Sequence, residues 1–167
     1  MEIREKKLEQ YLFSRNSIDY IIKITSSFNS LLLISTPSIA QYLYETGDKR
    51  DILLLEIDNK FKKIPFFKKY DINSMEKIEK RYELVIFDPP AFRFLPEQLV
   101  EFLKLQFTFS QKILLIYPEM FFKKIEEDLL EFKFKKIEKQ VEYIEENDFN
   151  KREMSFLKNF ESSISKS

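Results

Sequence analysis

The sequence predicts an α/β domain on a mainly parallel sheet, and three observations carry that expectation. Short, nearly uninterrupted apolar runs recur at Leu31–Ile34, Ile52–Ile57, Glu83–Phe87 and Lys112–Tyr117, the pattern of strands buried on both faces. Segments of helical period alternate with them, as crossover connections between parallel strands require. Proline stands where helices would begin, at Pro37, Pro96 and Pro118, a position that tolerates its missing amide hydrogen. At 167 residues the chain holds one domain with a real core rather than two. We place that domain at residues 1–161, with 1–15 as a lead-in and 162–167 as a disordered tail.

In chain order, Ile18, Ile21 and Ile22 recur at helical spacing after Asn16, which reads as the helix cap with Asp19 three residues on. Leu31–Ile34 is the first strand. Ser35-Thr36-Pro37 then gives a hydroxyl cap and a first-turn proline, and this helix stops near Thr46, where Gly47 supplies a left-handed terminus. Ile52–Ile57 is the second strand and Phe66–Tyr70 a weaker third, followed by a short helix over Ser74–Lys80. Glu83–Phe87 is the fourth strand. Pro96 opens a helix with Leu99, Phe102 and Leu103 on one face, and Lys112–Tyr117 is the fifth strand. Pro118 opens a helix whose inner stripe is Phe121, Phe122, Ile125, Leu129 and Phe132. Phe134–Tyr143 and Met154–Phe160 read as two closing strands around a polar loop.

Composition narrows the chemistry. Lys plus Arg and Asp plus Glu both number 28, so no overall field draws the chain to nucleic acid, although a local basic patch stays open. With no cysteine and no histidine, thiolate chemistry, serine–histidine catalysis and zinc sites are excluded, and no metal is expected. One glycine excludes glycine-rich phosphate loops. No apolar run reaches the roughly 18 residues of a membrane span and Met1–Lys7 is no signal peptide, so the expected location is cytoplasmic, away from membranes.

Tyr82–Phe92 is the segment that carries chemistry. Asp88-Pro89-Pro90 follows the fourth strand directly, and two prolines cannot extend a ladder. They stiffen a loop at the carboxyl end of a strand, where α/β proteins bind ligands. Their carbonyls are fixed acceptors beside a carboxylate, a set that suits an amino group with two hydrogens and leaves its lone pair more available for attack. The plainer alternative is a strand-ending turn with Asp88 as a solvated cap.

Asp-Pro-Pro with an aromatic close behind resembles the catalytic motif of amino-directed, S-adenosylmethionine-dependent methyltransferases. Most of the chain resembles the probable adenine-N6 methyltransferase family, which includes the eukaryotic elongation factor one-alpha lysine methyltransferases. Gln10–Ser14, Ser35–Ser38, Leu55–Phe61 and Tyr70–Asn73 are similar to successive blocks of that family. The resemblance implies a Rossmann-like class I methyltransferase fold, with a seven-stranded, mainly parallel sheet and a C-terminal antiparallel hairpin. It implies S-adenosyl-L-methionine as cofactor, with Ser35, Thr36, Pro37 and Ser38 facing its methionine part. Asp58, with Glu56 as second candidate, would take the ribose hydroxyls, and Asp71, Ile72 and Asn73 would flank the adenine ring. Asp88, Pro89, Pro90 and Phe92 would form the catalytic set. Tyr11, Phe13, Ser14 and Ala91 would line the substrate channel. Thr36, Pro37 and Asn73 serve equally well as helix-starting residues, and the plainer alternative for Asp58 is a solvated loop acid.

One departure stands out: the position after the second proline is normally aromatic, and here it is Ala91, with Phe92 next. Either Phe92 substitutes, or the acceptor needs no stacking platform, or catalysis has been lost and the chain is a binding or scaffolding subunit with a heteromeric partner. The acceptor is an adenine amino group in nucleic acid or a protein lysine, and the sequence leaves both open. Phe61–Lys69 interleaves aromatic and basic residues, which reads first as a solvated rim.

Overall fold

The computed structural model describes residues 12–144 and 154–162; the expected lead-in before residue 12, with Gln10 and Tyr11, and residues 163–167 lie outside them. Among the described residues are the α-helices α1 (Arg15–Ile24), α2 (Pro37–Glu45), α3 (Pro96–Gln106) and α4 (Phe122–Asp128), beside seven strands. The strands are β1 (Ser30–Ile34), β2 (Asp51–Glu56), β3 (Phe67–Lys69), β4 (Leu84–Phe87), β5 (Lys112–Pro118), β6 (Lys135–Gln140) and β7 (Met154–Lys158). They form one sheet in the order β3-β2-β1-β4-β5-β7-β6. The first five pair in parallel, while β7 runs antiparallel to both β5 and β6.

The chain winds outward from β1 to β3, then returns to place β4 on the other side of β1. The carboxyl ends of β1 and β4 therefore form the topological switch point at which α/β sheets open a crevice. Register fixes this junction: Ile34 is level with both Leu55 and Phe87. The central strands are buried on both faces, as their continuous apolar runs predict. One face packs Ile21, Leu43 and Phe156 together, and the other packs Leu99, Phe102 and Leu115.

Several local expectations need correction. Ser14, not Asn16, caps α1, with its hydroxyl accepting from the Ser17 amide. Ser74–Lys80 is not a helix: Ile72–Ser74 makes a single 3-10 turn that ends on Met75 in the left-handed region. Side chains satisfy that backbone instead, the Ile78 amide donating to Gln106 and the Tyr70 and Gln106 side chains donating to the Glu76 carbonyl. Pro118 closes β5 rather than opening a helix, and a 3-10 turn at Glu119–Phe121 precedes the short α4. The strand expected over Phe134–Tyr143 stops at Gln140, because residues 142–144 leave the sheet to pair with residues 12–14. Ser162, expected in the tail, is buried. Gly47 does take the left-handed conformation after α2 (φ 71°).

On one face Phe87, Phe94 and Phe102 form a triad with ring centroids 5.2–6.1 Å apart, anchoring β4 and the loop after it to α3. Truncating Phe102 removes its edge-to-face contact with Phe94 and its tilted contact with Phe87, and leaves a cavity. Phe102→Ala should therefore lower the unfolding free energy by about 3–5 kcal/mol in a urea titration; a loss below about 1 kcal/mol would show that the triad does not support this face.

Candidate active site

Four successive strand ends, in spatial order β3-β2-β1-β4, bring together the residues singled out by the sequence. After β1, Ser35 adopts the left-handed conformation (φ 58°) and its amide donates to the Leu55 carbonyl. This turn carries Thr36 to the start of α2, but Thr36 makes no side-chain cap. Its Oγ1 is fully buried and has no hydrogen-bond partner among the described residues. An orphaned hydroxyl in such a place is uncommon in a folded protein. Ser38 Oγ accepts from the Phe13 amide at 3.3 Å, tying the N-terminal segment to this turn.

Glu56, the last residue of β2, and Asp58 just beyond it are both 2% exposed. Glu56 Oε2 accepts from the Asp58 amide at 2.7 Å, and Asp58 Oδ1 caps the next turn through the Lys60 amide. The Asp58 carboxylate is thus engaged in shaping its own loop, with the Lys60 ammonium 3.9 Å away. After β3, Asp71 caps the Ile72–Ser74 turn through the Asn73 amide; Ile72 is buried and Asn73 faces solvent. Asn73 does not cap a helix.

After β4 the Asp88 amide donates to the Ile34 carbonyl at 3.2 Å, which sets the loop on the switch point. The Pro90 carbonyl is used twice, accepting from the Arg93 and Phe94 amides at 2.8 Å each. Tyr117 secures the turn from below, its hydroxyl donating to the Phe94 carbonyl at 2.6 Å. By contrast, neither the Asp88 carboxylate nor the Pro89 carbonyl takes a hydrogen bond from any described residue. Asp88 is only partly exposed, yet it is held in a water-poor surround. That burial, with the nearby charge of Glu56, pushes its carboxyl well above the usual carboxylate range. Ala91 is 1% exposed and faces the core, so a ring at this position would collide with packed side chains. Phe92 is half-buried against the same cluster.

Two features had no motif to reveal them. Residues 12–14 pair with 142–144: the Ser14 amide donates to the Glu142 carbonyl and the Ile144 amide to the Leu12 carbonyl. The Glu142 carboxylate accepts from Ser14 Oγ and Asn16 Nδ2, both at 3.2 Å. Phe13 and Tyr143 stack across this pairing, centroids 5.3 Å apart and planes within 17°. Phe13 is buried beneath the pair rather than lining an open channel, and Ser14 is engaged as cap and clasp. Among the described residues no group of acidic side chains could hold a metal ion.

The fold recurs in solved methyltransferases. A putative RNA methyltransferase from Pyrococcus horikoshii matches with a TM-score of 0.57 at 14% identity, over 90% of this chain and 85% of that one. The T. thermophilus 16S rRNA N2 G1207 methyltransferase in complex with AdoMet and guanosine matches at 0.54 and 13%, over 89% and 40%. The 16S rRNA methylase RmtB matches at 0.53 and 15%, over 86% of this chain, which spans 62% of that enzyme's length. No curated protein matches the chain. The architecture is that of a class I methyltransferase. More particularly, residues 4–162 match the family described as probable N6-adenine methyltransferase, and the chain belongs to that family.

The raised Asp88 carboxyl has a consequence for stability. As pH climbs above the ordinary carboxylate range, the unfolded chain releases this proton while the folded chain retains it. Folding stability therefore falls with rising pH until the folded group also ionises. Asp88→Asn removes that loss. The variant should melt higher than the parent at pH 8, with the gap closing toward pH 4; equal melting curves at both pH values would contradict the burial argument.

Proposed function

We propose that the protein transfers a methyl group from S-adenosylmethionine to an amino nitrogen, with Asp88 and the Pro89 carbonyl as the two acceptors that hold the amine. The observation that carries this reading is selective: the loop engages the Pro90 carbonyl twice and leaves Asp88 and Pro89 without a partner among the described residues.

The strand ends fit the cofactor. The orphaned Thr36 Oγ1 and the left-handed Ser35 turn suit a polar tail at β1. Buried Glu56 and Asp58 offer acceptors for ribose hydroxyls at β2, and Asp71–Asn73 supply a polar and apolar edge for a base at β3. Both acids shape this loop, Glu56 accepting from the Asp58 amide and Asp58 from the Lys60 amide, and Glu56 is the one taken as the ribose acid for testing. When bound, the cofactor supplies an electrophilic methyl group for in-line transfer.

The chain's own part is positioning and proton handling. Two fixed acceptors take the two amine hydrogens, which aligns the lone pair away from them. A carboxylate whose affinity for protons is raised by burial is also a better base. A lysine ammonium, with an ordinary pKa of about 10.4, must lose a proton before it can attack, and Asp88 stands where that proton would go. The charge of Glu56 beside Asp88 favours such a cationic acceptor over a neutral adenine amino group. Ala91, which offers no stacking face, points the same way.

Two measurements test the reading. Calorimetry should detect S-adenosylmethionine, with Glu56→Gln weakening it on the order of tenfold through loss of a charge-assisted hydrogen bond. Incubation with labelled cofactor and cell lysate should give label that protease releases and nuclease does not. Asp88→Ala should cut incorporation by about a hundredfold or more. Label released by nuclease would reassign the acceptor to nucleic acid, and cofactor binding without any incorporation would leave a binding or scaffolding subunit.

A further inference from the structure

Around the carboxyl ends of the strands, three large aliphatic side chains stand in water on backbone that is firmly held. Leu95, in the loop after β4, is 47% exposed, and its amide donates to the Gln98 side chain at 2.9 Å as α3 begins. Met120, in the turn after β5, is 71% exposed. It lies between Glu119, which pairs with Lys136, and Phe121, whose ring centroid is 5.7 Å from that of Tyr117. These two turns are neighbours: the Tyr117 hydroxyl donates to the Phe94 carbonyl at 2.6 Å, and just beyond them Glu97 pairs with Lys124 at 3.6 Å. Ile144 is 66% exposed while the adjacent Tyr143 is buried, and its amide is fixed on the Leu12 carbonyl. Its segment is tied through Phe13 to Ser38, at the start of α2 on the β1 side of the switch point. Asp88 leaves the sheet at β4, between that side and β5. A single exposed hydrophobic side chain is ordinary; these three bracket one loop.

We infer that this rim is the docking surface for an acceptor polypeptide, which lays aliphatic side chains on Leu95, Met120 and Ile144 while its lysine reaches Asp88. The inference deepens the methyl-transfer reading and rests on it. The chemistry of the rim selects the occupant. None of the three side chains is aromatic, so none offers a flat face on which a base would stack. The cations beside them are committed, Lys124 to Glu97 and Asp128, and Lys136 to Glu119, which removes them from contact with phosphate. Glu56, buried below, supplies the negative charge that a lysine complements. Neighbouring strands lie about 4.8 Å apart and an extended chain advances about 3.3 Å per residue. The aliphatic residues therefore fall within roughly one to three positions of the lysine. The unbranched Met120 side chain can adapt to partners of different shape.

The test uses the full chain, isotope-labelled at its methionine methyl groups, so that Met120 reports contact directly and no turnover is needed. Titration with acetyl-Leu-Lys-Leu-amide should shift the Met120 signal. Affinity, followed on the peptide's own proton signals, should exceed that of acetyl-Gly-Lys-Gly-amide by about tenfold, the effect of covering aliphatic side chains. The double variant Leu95→Gln, Met120→Gln should bind the two peptides alike, with its melting temperature within a few degrees of the parent and its affinity for S-adenosylmethionine unchanged. Equal affinity for the two peptides in the parent, no peptide binding, or a leucine preference that survives the double substitution overturns the inference, whether or not lysine is methylated. A larger Met120 shift with hexa-adenylate than with the leucine peptide also overturns it and gives the rim to nucleic acid. A leucine preference lost in the double variant, in a protein that transfers label to neither the peptides nor lysate protein, upholds the docking surface and overturns the function proposed above.

Discussion

Pro89 and Pro90 have no amide hydrogen to offer, so the chain leaving β4 cannot continue the ladder that β1 and β5 hold open on either side. It must turn out of the sheet at the one place where strand order reverses. That enforced exit governs the rest of the site. The last donor before it, the Asp88 amide, closes onto Ile34 and fixes the height at which the loop leaves. The Pro90 carbonyl then gathers two amides into the turn that starts toward α3, and Tyr117 braces the turn from β5. Between these fixed points stand an acidic side chain and one carbonyl, held rigidly and left uncommitted.

Holding a carboxylate there has a cost, because burial disfavours its charge and Glu56 adds like-charge repulsion. The surrounding packing is suited to bear it. Beneath the loop lies the Phe87–Phe94–Phe102 triad, and Ala91 fills the space where a larger side chain would force the turn upward. Stability is thereby concentrated under the site and withheld from it, which is the arrangement expected where preorganised acceptors await a charged or polar group.

The sheet was legible in the sequence because its central strands are buried on both faces, and Leu31–Ile34 and Leu84–Phe87 can do nothing else with four consecutive core positions each. The proline-led starts of α2 and α3 and the role of Gly47 followed from backbone chemistry alone. Ser74–Lys80 forms no helix because Gln106, thirty residues away, and Tyr70, six residues away, satisfy backbone that would otherwise have coiled. The position of Ser35–Ser38 and of Asp88 at strand ends was legible since each follows a strand directly, and Glu56 closes β2. The pairing of residues 12–14 with 142–144 was not legible, because it joins chain segments more than 120 residues apart, as between Ser14 and Glu142.

Scarcity of glycine shapes the β1 turn as well. Left-handed backbone costs a non-glycine residue roughly 1 kcal/mol or more, and the chain accepts this at Ser35, Met75 and Lys133. At Met75 and Lys133 the residue merely ends a 3-10 turn. At Ser35 it does more: the amide is delivered to Leu55 on the neighbouring strand, and the chain is redirected so that Thr36 is buried without a partner. A glycine there would relax the strain and also free the turn to reorient. With serine, the bond to β2 and the first-turn proline of α2 each restrict one side of it, so the orphaned hydroxyl keeps its direction. The same rigidity that glycine-rich turns achieve through close backbone approach is reached here through a strained residue locked between two strands and a proline.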